Sequence, residues 1–176
     1  MPLRQWADNG WLKPHQTSRQ EISNLLAIAR RDLTDARTGG ISDDWRFGIA
    51  YNAALKLCTV LLYADGYRPP QNLAHYRTLQ ALPLILGTYR QADSDYLDTC
   101  RTKRNTVEYD CVGGATAADA DELIEFAESL EKDVLKWLRS ERPQFAPPLD
   151  PPKPRRPGRR GKRNLLAPNW TRITTL

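Results

Sequence analysis

The chain has 176 residues, of which 40% are apolar and 27% charged, and its formal net charge is +5. This size and composition suit one globular domain with a core, and they exclude a chain that is disordered throughout. The charge is unevenly placed, because residues 143–176 carry +7 and residues 1–142 carry −2. An argument from basicity to nucleic acid therefore depends on the C-terminal region.

The cysteines and histidines do not indicate a metal or disulfide site. Cys58, Cys100 and Cys111 are too few and too widely spaced for a disulfide framework or a zinc pair, so we interpret them as small core residues in a reducing compartment. His15 and His75 are far apart and lack clustered acids. We therefore expect no metal and no other cofactor.

Targeting and nucleotide-hydrolysis signals are also lacking. Residues 1–13 contain charges and tryptophans instead of the apolar core of a signal peptide, and no uninterrupted apolar run approaches the ~18 residues of a membrane span. The pairs Gly39-Gly40 and Gly113-Gly114 lack the Lys-Ser/Thr of a phosphate-binding loop. These patterns favour a cytoplasmic protein without a nucleotide-hydrolysis site.

The first two helices have clear start signals. Residues 1–16 are predicted to form an irregular segment with at most a short turn of helix. Ser18 and Glu21 form a capping box, and apolar residues at three- and four-residue spacing predict a helix over 19–37. Ser42 caps a second helix that runs to Ala64 and is apolar nearly all round, which is typical of the centre of a bundle.

Three further helical segments follow. Residues 72–87 are helical but contain Pro83, which should kink or split them. Ser94 is predicted to open a fourth helix through about Asp110, and Thr116 a fifth that ends near Arg142. No strand pattern is present. The sequence predicts an all-α fold, an antiparallel four- to five-helix bundle over residues 17–142.

The remaining segment, residues 143–176, is predicted to be a disordered basic tail. It holds eight of the 13 prolines, and such a segment cannot bury enough apolar surface to offset chain entropy. Its cations could neutralise RNA or DNA phosphates, although a solubilising extension, or binding to an acidic protein or membrane, are alternatives. The candidate nucleic-acid-binding residues here are Arg155, Arg156, Arg159, Arg160, Lys162 and Arg163.

The fourth helix carries the main site candidate. Arg101, Arg104, Asn105 and Glu108 lie at intervals of three and four and so share one face, with Lys103 beside them. Arg104 should sit at the edge of the core, where a guanidinium needs a carboxylate, a carbonyl or a ligand phosphate. An ordinary ion pair between Glu108 and one of the arginines is the alternative interpretation.

The run Arg-Asn-x-x-Glu-Tyr-Asp, which begins at Arg104, resembles the motif of the HEPN superfamily and one of its subgroups. The resemblance extends over most of residues 18–140. It implies a homodimeric bundle with two motifs facing a shared cleft. It also implies a metal-independent RNA endonuclease of a toxin–antitoxin or defence system, with a nucleotidyltransferase-like antitoxin as partner.

Mapped onto this chain, the family arginine falls on Arg104, its polar neighbour on Asn105, and the family histidine on Tyr109. Tyrosine, with an ordinary pKa of about 10, is a poor base. Glu108 could replace it if burial raised its pKa, and His75 could do so by approaching the fourth helix. The resemblance therefore leaves two functions open: a ribonuclease, or a non-catalytic module that binds a protein or a nucleic acid.

Overall fold

The computed structural model describes residues 3–109 and 112–148, with the backbone alone at 107–109, and it is mostly helical. The helices are α1 (Leu3–Asp8), α2 (Arg19–Ala36), α3 (Asp43–Ala64), α4 (Ala74–Gln80), α5 (Leu82–Leu86), α6 (Gln91–Tyr109) and α7 (Ala117–Glu141). Two 3₁₀ turns, Thr88–Arg90 and Pro143–Phe145, and a short ladder of β1 (Lys13–Pro14) with β2 (Tyr67–Arg68) complete the described part.

Helix α3 lies at the centre of the bundle, as its apolar surface predicts. Helices α2 and α7 make the most extensive contacts with it, and α6, α4 and α5 pack on its remaining sides. Leu57, Val60 and Leu61 are fully buried there, together with Ile124 and Leu130 of α7. The helical bundle is confirmed, and it holds α6 and α4 next to the middle of α3.

Helix α3 also has the length and hydropathy of a membrane span, although Asn52 and Lys56 interrupt its apolar residues. However, 67% of its most apolar window is buried inside the bundle. That burial is typical of the core helix of a soluble protein. A soluble protein is therefore supported, and the cytoplasmic location stays a prediction.

The helix starts at Ser42 and Thr116 are confirmed, since each hydroxyl accepts a backbone N–H of its own first turn. Ser18 likewise accepts from the backbone N–H of Glu21, at 3.1 Å. The predicted capping box at Ser18 is incomplete, however, because the Glu21 carboxylate instead accepts from Thr17 and contacts His15. The predicted helix over 19–37 is confirmed to within one residue.

The segment around Pro83 is split, as predicted, into α4 and α5. The predicted start of the next helix at Ser94 is wrong, because α6 begins at Gln91. Ser94 is fully buried, and its hydroxyl donates to the carbonyl oxygen of Leu79 at 3.1 Å. A serine that looks like a cap in the sequence thus joins α6 to α4.

The N-terminal segment is more ordered than predicted. It contains α1, and its strand β1 pairs with β2, so the expectation of no strand is wrong for two residue pairs. Trp6 and Trp11 pack edge to face with ring centroids 5.8 Å apart, and Leu12 is buried. These contacts attach the segment to the C-terminal end of α3 through Leu62.

The predicted boundary between bundle and tail, at residue 143, is too early. Ala146 is buried and its carbonyl oxygen accepts a hydrogen bond from Arg19 at 2.9 Å, while Phe145 packs against the core. Residues 143–148 therefore belong to the bundle, because Phe145 and Ala146 pack on its core. Residues 149–176, with every predicted tail cation, lie outside the described residues.

Two of the three cysteines are core residues, as predicted, and the reducing compartment stays a prediction. Cys58 and Cys100 are free and buried in the core. Burial raises the pKa of Cys58 to about 12 and that of Cys100 to about 11, so both remain protonated. Cys111 lies outside the described residues.

Candidate functional site

Arg101 and Lys103 point away from each other because they are two residues apart on one helix. The Arg101 guanidinium donates to Asp98 at 2.7 Å and lies over the ring of Tyr76, with 5.8 Å from Cζ to the ring centroid. Lys103 forms an ion pair with Asp119 at 2.7 Å. Arg101 thus faces α4, and Lys103 faces the start of α7.

The Lys103–Asp119 pair belongs to the structural cap of α7. The hydrogen bond from Lys103, followed by those from the Thr116 hydroxyl and backbone N–H, holds the pKa of Asp119 well below its ordinary range. Thr116 and Asp119 form the capping box that starts α7. Lys103 is therefore engaged in joining α6 to α7.

Arg104 is half-buried and lines a groove beside α3, and Asn105 is exposed. Glu108 and Tyr109 belong to α6, but their side chains lie outside the described residues. Of the predicted catalytic residues, the structure therefore places Arg104 at an opening and Asn105 at the surface. The roles assigned to Glu108 and Tyr109 stay predictions.

His75 of α4 lies beside the two arginines of α6. The centroid of its ring lies 6.4 Å from that of Tyr51. Partial burial lowers the pKa of His75 below its ordinary value of 6.5. The positive charges of Arg104, Lys56 and Arg101 lower it further. His75 does approach the helix of the site candidate, as the sequence allowed, and its lowered pKa favours the neutral imidazole.

Lys56 brings a third cation to the same place, from α3. Its side chain is half-buried, and the described part of the chain offers it no ion pair. Lys56, His75, Arg101 and Arg104, here called the basic cluster, thus come from three different helices. Like charges gathered at a surface favour binding of an anion, because the anion relieves their repulsion.

Tyr51 supports the basic cluster from inside the core. It is 2% exposed, and its hydroxyl meets no hydrogen-bond partner among residues 3–109 and 112–148. Burial raises the pKa of Tyr51 well above its ordinary value, against the opposing effect of Arg101 and Arg104. The hydroxyl is therefore a neutral donor beneath the cluster, and it is shielded from solvent.

The groove has a volume of about 590 Å³. Its sides are the C-terminal half of α2, the N-terminal half of α3 and, opposite α2, Arg104 with Val112. Trp45 stands at its rim with 64% of the side chain exposed. The remaining lining residues are Arg31, Asp32, Asp35, Ser42, Asp44, Gly48, Ile49 and Asn52.

Two of the groove's three aspartates are already engaged. Asp32 is 4% exposed and accepts hydrogen bonds from Arg31, at 2.6 Å, and from the side-chain amide of Asn52. Asp44 accepts from the backbone N–H groups of Gly113 and Ala115, at 2.6 and 2.9 Å. Those two backbone bonds lower the pKa of Asp44 and fix the loop after α6.

Comparisons with protein-family models, curated proteins and solved structures find no match to this chain. Within the part of the chain that the structure describes, no group of three His, Cys, Asp or Glu side chains could hold a metal ion. The chemistry of the site must therefore be inferred from its own side chains.

Sequence reasoning missed Lys56, Trp45 and Asn52. Lys56 and Asn52 carried a signal, since they are polar residues four apart within an otherwise apolar helix. On the central helix of a bundle, polar side chains at that spacing mark the strip that other helices leave open. Trp45 gave no such signal, because a tryptophan at a helix start fits a core equally well.

Proposed function

We propose that this chain is a HEPN-like, RNA-directed protein that cleaves RNA without a metal ion at the basic cluster. The observation that carries the proposal is the position of an exposed His75 of α4 beside Arg101 and Arg104 of α6 and Lys56 of α3, where its pKa is lowered. RNA cleavage by its own 2′-hydroxyl needs a proton acceptor near neutral pH and cations for the charge on phosphorus. The cluster contains both.

The cations divide the work of binding. Arg104 and Lys56 are suited to the non-bridging oxygens of one phosphodiester, the first as a planar fork and the second as a point charge. Arg101 is held by Asp98 and Tyr76, so its charge is fixed in place beside His75. Fixed charges need little reorganisation when negative charge develops in the transition state.

His75 would act as the general base. Its unprotonated ring nitrogen takes the proton of the 2′-hydroxyl while O2′ forms a bond to phosphorus and the P–O5′ bond breaks. The departing O5′ takes a proton from the imidazolium or from water. The products are a 2′,3′-cyclic phosphate and a 5′-hydroxyl, and no oxidant or metal is required.

The HEPN resemblance supports this proposal through Arg104 and Asn105. His75 would supply the base that the family histidine provides and that Tyr109 cannot. In this proposal the base comes from α4 instead of from the motif helix. The homodimer, the nucleotidyltransferase-like antitoxin, the toxin or defence role and RNA binding by the tail stay predictions of the resemblance and the sequence.

A non-catalytic binding module is the second candidate, and the exposed apolar side chains around the groove favour it. Trp45 is 64% exposed, Ile41 39% and Val112 97%. Exposed apolar residues that cluster beside a groove are typical of interaction sites. In that case the basic cluster would bind an anion without chemistry.

Incubation of single-stranded and structured RNA with the purified full chain in EDTA separates the two candidates. We expect cleavage that leaves cyclic phosphate ends, and a loss of at least ~100-fold in rate for His75→Asn and for Arg104→Ala. Arg37→Ala is the matched control, since it removes an exposed cation that pairs with Glu128.

Cleavage that survives Arg104→Ala and His75→Asn unchanged would overturn the proposal. Binding without cleavage, weakened by Arg104→Ala and unaffected by Arg37→Ala, would favour the non-catalytic module.

A further inference from the structure

We infer that the groove beside Arg104 binds one unpaired nucleobase with an exocyclic amino group, adjacent to the phosphate held by the basic cluster. This inference rests on the proposed function, because Arg104 belongs to both the cluster and the groove. It adds a substrate class: single-stranded RNA with adenine, cytosine or guanine at that position.

The size and rim of the groove suit a base. About 590 Å³ lies within the range of small-ligand pockets and accommodates one nucleotide. Trp45 offers an exposed aromatic face at the rim, and a base of any kind can stack on such a face. A base can stack there only when it is unpaired, which favours a single strand.

The charges of the groove indicate which part of a nucleotide enters it. Two arginines line it, Arg31 and Arg104, against three aspartates. Asp32 is neutralised by Arg31, and Asp44 binds backbone N–H groups. A phosphate would therefore meet a mildly acidic interior, whereas a neutral base would not be repelled. The phosphate is better placed on the basic cluster outside.

Two side chains of the groove offer hydrogen-bond acceptors beside the donors of Arg31 and Arg104. The side-chain nitrogen of Asn52 donates to Asp32, which leaves its oxygen Oδ1 as the acceptor available to a base. Asp35 adds a carboxylate that has no ion pair or hydrogen bond with the described residues. Two acceptors prefer an exocyclic amino group, which has two N–H donors, whereas uracil donates only its N3–H on that edge.

The test measures binding of full-length protein to eight-nucleotide deoxy-oligomers of adenine, cytosine or uracil, which lack the attacking 2′-hydroxyl. We expect adenine and cytosine oligomers to bind at least ~10-fold more tightly than the uracil oligomer. Trp45→Ala should weaken adenine binding about 10-fold. Asp35→Ala should reduce the preference over uracil to within about twofold, because an acceptor is removed.

Trp11→Ala is the matched control. Trp11 is also exposed, at 42%, and it packs on Trp6, which contacts the cluster around Leu62. Leu62 lies about 25 Å along α3 from Trp45. Equal affinity for the three oligomers, with no effect of Trp45→Ala, would overturn the base site and leave the phosphate site standing. Failure of every oligomer to bind would overturn the proposed function as well.

Discussion

The acids of α7 and the basic cluster use cations in opposite ways. Five cations from other elements pair with acids on α7, and these pairs join α2, α3, the turn before α6 and α6 itself to the last helix. The pairs are Arg30–Glu131, Arg37–Glu128, Arg46–Asp121, Arg90–Asp133 and Lys103–Asp119.

Around His75, by contrast, three cations converge on one imidazole, and Lys56 has no acid partner in the described residues. Paired charges are satisfied within the fold and hold helices in register. Around His75 the fields of the cations add together even though Arg101 pairs with Asp98, and such a field favours an anionic ligand. The same residue types thus serve structure along α7 and, in the proposed function, binding around His75.

Removing the ion pairs of α7 should lower the free energy of unfolding and leave RNA binding intact. The largest loss of stability is expected at Arg90. Its side chain is 15% exposed and pairs with both Asp93 and Asp133. The double variant Asp93→Ala/Asp133→Ala leaves a mostly buried guanidinium without acids. We expect the free energy of unfolding in urea to fall by about 2–3 kcal/mol.

Glu128→Ala is the control for that measurement. It removes the partner of Arg37, whose side chain is 49% exposed, and it should cost less than about 1 kcal/mol. Equal losses in the two variants would remove the distinction between buried and exposed pairs on α7.

Substitutions in the basic cluster should lower RNA affinity and leave stability unchanged. Lys56→Glu replaces a half-buried cation by an anion, and we expect RNA affinity to fall about 30-fold at low salt. The slope of log affinity against log salt should fall by about 0.7, the value for one phosphate contact on a single strand. An unchanged slope would contradict a phosphate at Lys56.

Lys136→Glu makes the same charge change at an exposed position on α7, and its affinity should stay within about threefold of wild type. Both variants should melt near the wild-type temperature. A large affinity loss in both would indicate a diffuse effect of net charge instead of a site.

The pH profile of cleavage sharpens the contrast for His75. Because the pKa of His75 is lowered from 6.5, its basic form persists to lower pH than in a free histidine. An ordinary histidine would lose about fourfold in basic form between pH 7.5 and 6.0. At subsaturating RNA, where the profile follows the free protein, we expect a smaller fall.

A fall of fourfold or more over that range would contradict a lowered pKa at the catalytic base. The variant Lys56→Met tests the direction of the shift, since removing a cation should raise the pKa of His75 and make the fall in cleavage rate steeper.

The smallest effect is expected at Lys103, which lies between the two regions. Sequence reasoning grouped it with Arg101 as a nucleic-acid contact, but its ammonium pairs with Asp119 at the start of α7. Lys103→Ala should leave RNA affinity within about twofold and cost less than about 1 kcal/mol of stability. A loss of RNA affinity equal to that of Arg104→Ala would show that Lys103 contacts RNA and would contradict a purely structural role.

Local signals in the sequence were sufficient for the helices and insufficient for the site. Ser42 and Thr116 start helices as predicted, because a cap depends on a residue and its next three neighbours. Ser94 has the same local appearance, yet it is buried against Leu79. Its role depends on where α4 packs, and the sequence does not encode that in any local spacing.

The same argument applies to the basic cluster. The shared helix face of Arg101 and Arg104 could be predicted from spacing, and they do act together on His75. Lys56 comes from another helix, so its place beside them follows from how α3, α4 and α6 pack. Residues separated by 45 or more positions can be joined at a site only after the fold is known.

The pKa of His75, followed by NMR in protein labelled at histidine, tests the central claim most directly. The chain has only two histidines, so His15 serves as a control in the same sample. We predict a pKa of His75 below 6.5 in the free protein, which rises when a single-stranded deoxy-oligonucleotide saturates the protein, because the bound phosphate stabilises the imidazolium. A bound oligonucleotide that leaves the pKa and resonance of His75 unchanged would contradict a phosphate at the basic cluster.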